Sequence, residues 1–251
     1  TGIGTSMISH RLRSLVRFLY KQACSRANIV FFQNQTNLDF FTSNNLVDVS
    51  KTNLIPGSGV NLEKFKPVEK TLNDGIIRFL FIGRLMKEKG IEEYLQVAQS
   101  ITRKYPNTIF HIVGVNEEMK YNSIIERNTS IEYLGPSKDV REQIKEADCI
   151  VNPSYHEGMS NVLQEAAAMA KPLIASNIPG CREIVEDGKN GLLFEPKSSD
   201  GLEKAVINFI ELSEDERAIM GNNSRLKVEK EFDRKIVINE YIKTIMETII
   251  K

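Results

Sequence analysis

From residue 76 to residue 230 short apolar runs alternate with helical patterns, and that alternation predicts a parallel sheet covered by helices on both faces, a Rossmann-like α/β fold. The runs Arg78–Ile82, Thr108–Val113, Ile131–Leu134, Cys149–Asn152, Leu173–Ala175 and Gly191–Phe194 read as strands. Helices fit between and after them at about 90–103, 117–127, 138–147, 160–170, 180–186, 200–211 and 214–230. Most of the strands run into Gly, Pro or Ser, at Gly83, Gly114, Gly135, Pro153 and Ser176. Ligands of such sheets bind beyond the carboxyl ends of the strands, so the chemistry is expected in those loops.

The ends of the chain read differently. Ile8, Leu12, Leu15, Val16, Leu19, Tyr20 and Ala23 form a helical stripe, followed by a strand over Asn28–Phe32, a short helix near 36–43 and a strand at Leu54–Pro56. This piece is too small to build its own core. It is expected either to pack on the main domain or to have partner strands outside this chain. A last helix at 234–250 carries Ile238, Tyr241, Ile242, Ile245 and Ile249 on one face. The expected division is 1–50, 51–232 and 233–251: the end of an N-terminal domain, the Rossmann-like domain, and a helix returning toward the first piece.

Composition narrows the partners. The 251 residues are 41% apolar and 26% charged, enough for one large core or two ordinary ones. Thirty-three basic residues balance thirty-three acidic ones, so no global field draws the chain to nucleic acid. Cys24, Cys149 and Cys181 are odd in number and lack metal-ligand spacing, which suits a reduced, cytoplasmic setting. No apolar run approaches the roughly 20 residues that span a bilayer, and the N-terminus lacks a signal-peptide layout.

The richest segment is His156-Glu157-Gly158-Met159-Ser160-Asn161-Val162-Leu163-Gln164-Glu165, a glycine-bearing loop entering a helix. Ser160 is a natural N-cap, and the apolar positions 162, 163, 166, 167, 169 and 170 make the buried stripe, leaving Asn161 and Glu165 on the other face. Free N–H groups at the helix start can hold an anion while Glu157 and Glu165 accept hydrogen bonds from hydroxyls, a combination suited to a ligand with both phosphates and sugars. Gly83-Arg84-Leu85-Met86-Lys87-Glu88-Lys89-Gly90 puts Arg84 and Lys89 after the first strand of the sheet, where a planar fork and a mobile point charge suit a diphosphate. Gly57-Ser58-Gly59-Val60-Asn61 reads equally as a backbone cradle, with Gly57 and Gly59 at the domain junction, or as an ordinary turn. His156 reads as a pocket-lining loop residue ahead of a general base, and His111, inside an apolar strand, as a core histidine. No nucleophile elbow, zinc site or Asp-x-Asp is present, so charge neutralisation falls to Arg84 and Lys89. His10, Arg11, Arg13, Arg17, Lys21 and Arg26 line the first helix beside its apolar stripe; they read as a solvated face or as a contact with an anionic membrane surface.

Gly83-Arg84 with Lys89-Gly90, Pro153-Ser154-Tyr155-His156-Glu157-Gly158 with Asn161-Val162-Leu163-Gln164-Glu165-Ala166, and Asn190-Gly191-Leu192-Leu193-Phe194 together resemble the retaining glycosyltransferases of family four, which have the GT-B fold. Phe32-Gln33-Asn34, Ile55-Pro56-Gly57-Ser58-Gly59-Val60 and Pro179-Gly180-Cys181-Arg182-Glu183 resemble the branch that builds bacterial capsular and lipid-linked polysaccharides. The resemblance implies that Arg84 and Lys89 hold the donor diphosphate, that Glu157 meets the transferred sugar and Glu165 the ribose. It also implies that Gly158, Met159 and Ser160 present N–H groups to sugar and phosphate, with Leu134 and Gly135 at the base and Gly83 beside the phosphates. It implies no cofactor and no metal, a UDP-sugar in preference to a GDP-sugar as substrate, and a saccharide or polyprenyl-diphosphate-linked acceptor. Only the end of an acceptor domain, from Thr1-Gly2-Ile3-Gly4 to about Ser50, is legible, so the chain is expected to be the C-terminal portion of such an enzyme, inactive alone, cytoplasmic or peripheral at the inner face of a membrane. Two rivals are a non-catalytic nucleotide-sugar-binding module and a sugar-nucleotide epimerase of the same fold.

Overall fold

The computed structural model describes residues 13–117, 119–127, 129 and 131–249. Ile8, His10, Arg11 and Leu12 of the first stripe, and the Thr1–Gly4 segment, lie outside the described residues. Six strands, β3 (Ile77–Ile82), β4 (Thr108–Val113), β5 (Ile131–Tyr133), β6 (Cys149–Asn152), β7 (Leu173–Ser176) and β8 (Gly191–Phe194), form one parallel sheet in the order β5-β4-β3-β6-β7-β8. Consecutive strand residues serve opposite faces. Phe79 and Phe81 enter one apolar cluster with α3 (Ile91–Lys104) and α7 (Ser199–Glu211), while Leu80 between them enters the other with α6 (Asn161–Ala168). Both faces being covered, β6 and β7 are buried along their whole length, and each is a continuous apolar run up to its last residue, Asn152 or Ser176, instead of alternating. On the first face Phe79 stacks on Phe110 at 4.9 Å and meets the edge of Phe209 at 5.7 Å.

The chain moves outward from β3 through β4 and β5, then returns to place β6 on the other side of β3. That reversal opens a crevice at the carboxyl ends of β3 and β6. The loops Gly83–Gly90 and Pro153–Ser160 meet there. Gly90 adopts φ +73° and lies so close to Pro153 that an added Cβ would stand 2.0 Å from the Pro153 carbonyl oxygen; the Tyr155 N–H donates to the Glu88 carbonyl at 2.9 Å. Only glycine permits that approach.

A second, smaller lobe joins both ends of the chain. It comprises α1 (Arg13–Arg26), β1 (Val30–Phe32), α2 (Gln35–Ser43), β2 (Thr52–Leu54) and α9 (Arg234–Ile249). β1 and β2 pair in parallel, and α9 packs on them through Phe31 against Tyr241 at 4.6 Å and an Asn53 Nδ2 hydrogen bond to Glu240 Oε1 at 2.7 Å. The expected strand at 54–56 therefore ends at Leu54 and completes the small lobe, so a division between residues 50 and 51 cuts the lobe ahead of its last strand. The two crossings between lobes run side by side: Val60 exchanges hydrogen bonds with Phe232 and Arg234, and Gly59, at φ +66°, has no room for a side chain against the Arg234 backbone. Gly59 thus serves this crossing.

Several expected helices shorten. Among the described residues of 117–127 only α4 (Asn122–Glu126) is helical, and Met119 ahead of it turns the chain at φ +50°. The helix expected at 138–147 is α5 (Arg141–Glu146). Over 180–186 there are turns in place of a helix: Gly180 sits at φ +89°, and its N–H is taken by the Glu183 carboxylate at 2.6 Å. α8 (Glu214–Glu231) matches its pattern and opens on a Ser213/Glu216 capping box.

Candidate functional site

α6 is positioned by its own sequence. The Ser160 hydroxyl accepts from the Leu163 N–H at 3.3 Å and from Asn152 Nδ2 at 2.7 Å, which ties the helix start to the carboxyl end of β6. Leu163, Ala166 and Ala167 are fully buried beneath it. The loop ahead of Ser160 brings Glu157 to the turn Lys87–Lys89, where Lys89 Nζ stands 2.7 Å from Glu157 Oε1. A charge-assisted contact of that length holds both flexible side chains in one place.

This ion pair is the wall between two cavities. One, of about 220 Å³, is lined by Gly83, Asn152, Met159, Ser160 and Asn161 together with Lys89 and Glu157. The other, of about 720 Å³, runs from the same pair past Arg84, His156 and Gly158 to Thr36 and Asn37 of the small lobe. Arg84 and His156 are exposed at its edge, and Arg84 makes no side-chain hydrogen bond or ion pair among the described residues. The larger cavity has apolar walls from Met86, Tyr155, Ile178 and Pro179. The smaller one ends on the first N–H groups of α6, where the helix dipole favours negative charge.

The remaining expected residues are distributed around this centre. Glu165 lines neither cavity and stands half-buried on α6 among Lys64, Asp139 and Arg234. Burial pushes its carboxyl above the ordinary value, Lys64 and Arg234 pull it back, and Asp139 pushes it up. Asn161 is exposed and accepts from the Ser58 hydroxyl at 3.0 Å. Gly57, at φ +67°, backs directly onto Met159, so the 57–61 turn supports the Met159 loop from behind. Leu134 and Gly135 follow β5; the Gly135 carbonyl accepts from the Gly114 N–H at 3.0 Å, and Gly114 touches the Gly83 carbonyl so closely that an added Cβ would stand 1.7 Å from it. Gly83, Gly114 and Gly135 therefore form one contiguous rim. His111 pairs with Glu132 across β4 and β5, its Nε2 3.1 Å from the carboxylate, and burial lowers its pKa; it is part of the sheet and remote from the cavities.

Other residues that shape the site belong to the motifs that carry the family resemblance, but nothing in their spacing states which partner each one meets. Tyr155 donates to buried Glu93 at 2.6 Å, which fixes the loop before Glu157; burial first, and this hydrogen bond second, push its phenol well above the ordinary value. Gly180 supports the same loop by accepting from the Ser160 N–H at 2.9 Å. Asn34, at the start of α2, donates through Nδ2 to the Gly158 carbonyl at 2.7 Å. Each depends on pairing across 20 to 124 positions that no local pattern announces. Cys181 is buried beneath Asn152, its thiol pushed well above the ordinary value by burial. Among the described residues no group of three or more His, Cys, Asp or Glu is gathered as metal ligands would be.

Chemically, the arrangement can hold a doubly charged anion between Arg84, Lys89 and the α6 N-terminus while Glu157 receives hydroxyl groups. Residues 63–227 match the family described as glycosyl transferases group 1. The chain is 28% identical over 260 residues to the N,N'-diacetylbacillosaminyl-diphospho-undecaprenol alpha-1,3-N-acetylgalactosaminyltransferase of Campylobacter jejuni, covering 96% of this chain and 68% of that one. It is 32% identical over 204 residues to an Escherichia coli UDP-Gal:alpha-D-GlcNAc-diphosphoundecaprenol alpha-1,3-galactosyltransferase, covering 74% of this chain but 52% of the relative. The crystal structure of Anabaena Alr3699/HepE in complex with UDP and glucose superposes with a TM-score of 0.79 at 19% identity, over 93% of this chain and 67% of that one.

Proposed function

The chain belongs to the group 1 glycosyl transferases and has their GT-B fold, and from that premise we propose that it supplies the donor side of a transferase moving a hexose-type sugar from a nucleoside diphosphate to a saccharide or polyprenyl-diphosphate-linked acceptor, with retention, in bacterial surface-polysaccharide synthesis. The observation that carries this reading is the Lys89–Glu157 pair standing between two cavities at the β3/β6 crevice. A nucleotide sugar has its own boundary of the same kind, with anionic phosphates on one side and hydroxyls on the other.

In this reading the diphosphate lies against Gly83, Arg84, Lys89 and the α6 N-terminus, and the sugar lies beside Glu157 where the two cavities meet. The nucleoside runs along the Gly83–Gly114–Gly135 rim, with Leu134 and Gly135 at the base and Glu165 at the ribose. Binding requires Lys89 to exchange Glu157 for a phosphate oxygen. That exchange releases the Glu157 carboxylate for the sugar hydroxyls as the phosphate takes over the ammonium. As the sugar leaves, charge builds on the diphosphate, and Arg84, Lys89 and the helix dipole stabilise it there without a metal ligand set. UDP is the preferred nucleotide, by analogy with the names of the E. coli relative and the Anabaena complex.

The acceptor is proposed to enter from the small lobe, whose Thr36 and Asn37 close the larger cavity. A peripheral membrane contact through α1 suits a lipid-linked acceptor. Arg13, Lys21 and Arg26 are exposed there beside Leu15, Phe18 and Leu19, and among the described residues no helix is long and apolar enough to cross a membrane. Calorimetric titration with UDP, UDP-glucose, UDP-galactose and GDP-mannose tests the donor reading. Tighter binding of at least one UDP-sugar than of UDP supports it; binding of none of the four contradicts it.

A further inference from the structure

Among the described residues, the loop that carries Gly158, Met159 and Ser160 is hydrogen-bonded to the small lobe through the side chain of Asn34. Asn34 is 1% exposed and uses both ends of its amide. Its Oδ1 accepts from the Asn37 N–H at 2.9 Å and so caps α2, and its Nδ2 donates to the Gly158 carbonyl at 2.7 Å. The two partners are a donor and an acceptor, so the amide orientation is fixed by what surrounds it. The Gly180 backbone lies against the same Gly158 carbonyl, its own carbonyl holds the Ser160 N–H at 2.9 Å, and Arg182 reaches back to the Thr36 hydroxyl at 3.0 Å.

A trans peptide points its carbonyl and its N–H in opposite directions. Holding the Gly158 oxygen toward Asn34 therefore aims the Met159 N–H away from the small lobe, on the side where Met159 and Ser160 line the 220 Å³ cavity. That N–H makes no hydrogen bond within the chain among the described residues. We propose that Asn34 is a positioning residue for donor recognition: its hydrogen bond orients the Gly158–Met159 peptide so that the Met159 N–H meets the sugar or its bridging phosphate oxygen. The inference rests on the donor reading above and adds that a residue of the small lobe sets the geometry of the sugar-binding loop. The lobes are thereby coupled, because a shift of α2 turns this peptide.

Asn34→Asp separates the two functions of the side chain. Aspartate still caps α2 but cannot donate to Gly158, whereas Asn34→Ala loses both contacts. The 251-residue parent and both variants are titrated with UDP and with UDP-glucose, and their thermal midpoints are recorded. For Asn34→Asp the expected result is UDP affinity within about twofold of the parent, UDP-glucose affinity lower by about fivefold or more, and a lowered midpoint, because a buried carboxylate then faces the Gly158 carbonyl. Asn34→Ala should show the same selective loss together with a lower midpoint. An Asp variant that binds UDP-glucose like the parent, or that loses UDP and UDP-glucose equally, overturns the proposal. A parent that binds neither ligand instead overturns the donor reading on which it stands.

Discussion

The two lobes solve the same packing problem with unequal means. In the six-stranded lobe two clusters of buried side chains cover both faces of the sheet, and Phe79, Leu80, Ile150 and Leu173 have no exposure at all. In the small lobe Cys24, Phe32, Phe41, Leu46 and Val47 form the buried cluster among the described residues, and the described parts of the predicted stripes of α1 and α9 are turned largely outward: Leu19 and Ile242 are each 55% exposed. The difference teaches that the large lobe carries its own stability, while the small lobe is held by the two crossings at Val60 and Asp233 and by its contacts with the Gly158 loop. A two-stranded sheet is marginal without further cover.

The sharpest way to break the comparison is a cavity in each lobe's apolar surface. Phe79→Ala removes the ring stacked between Phe110 and Phe209 and should cost about 3–5 kcal/mol in urea unfolding. Phe18→Ser on the exposed α1 face should change stability by no more than about 0.5 kcal/mol. Equal losses at the two positions would show that α1 is buried in solution.

A somewhat smaller effect is expected at the rim. Gly114→Ala places a methyl group against the Gly83 carbonyl and should destabilise by about 2–4 kcal/mol, whereas Gly135→Ala, with open space at its Cβ, should cost only about 1–2 kcal/mol for its positive φ. Thermal unfolding of the pair separates close packing from backbone strain.

Arg84→Ala and Lys89→Ala should each weaken UDP binding by about 1.5–3 kcal/mol, roughly 10- to 100-fold, without unfolding the chain. Arg84 is the cleaner test, since its side chain makes no hydrogen bond or ion pair among the described residues, while Lys89→Ala also leaves Glu157 unpaired. Parent-like UDP affinity in both variants would remove the diphosphate from this crevice.

The smallest effect is a pH dependence at Glu165. Its carboxyl is raised in the folded state, chiefly by burial, so the ionised form is penalised. The penalty is absent below the unfolded carboxyl's value near about pH 4 and complete above the folded one. Glu165→Gln should therefore raise the thermal midpoint slightly at pH 7, with the gain vanishing as the pH falls toward 4. A gain that persists at pH 4 would assign it to packing instead of charge.

The lobes also differ in how far the sequence made them legible. Strands with continuous apolar runs, such as Cys149-Ile150-Val151 in β6, show their limits because burial on both faces demands that composition. Ser160 announced the start of α6 because a cap is a local device. The ion pair of Lys89 with Glu157 follows from topology, and residue spacing alone places both groups only at the same edge of the sheet. The turns at 180–186 read as a helix because the loop's need for Gly180 at a positive φ beneath Ser160 is set by a distant partner. The outward faces of α1 and α9 show the converse: a clear apolar stripe states that something is to be covered and leaves the cover unnamed.

The proposed function gives Glu157 and Glu165 different halves of one nucleotide-sugar ligand, with Lys89 moving from Glu157 to phosphate when it binds. Calorimetry of the parent, Glu157→Ala and Glu165→Ala with UDP and a UDP-sugar tests it directly. Glu165→Ala should weaken UDP and the UDP-sugar alike. Glu157→Ala should leave UDP unchanged or slightly tighter, because Lys89 is released, and should weaken only the UDP-sugar. Equal losses of UDP in both variants would contradict the division of roles and the exchange of partners at Lys89.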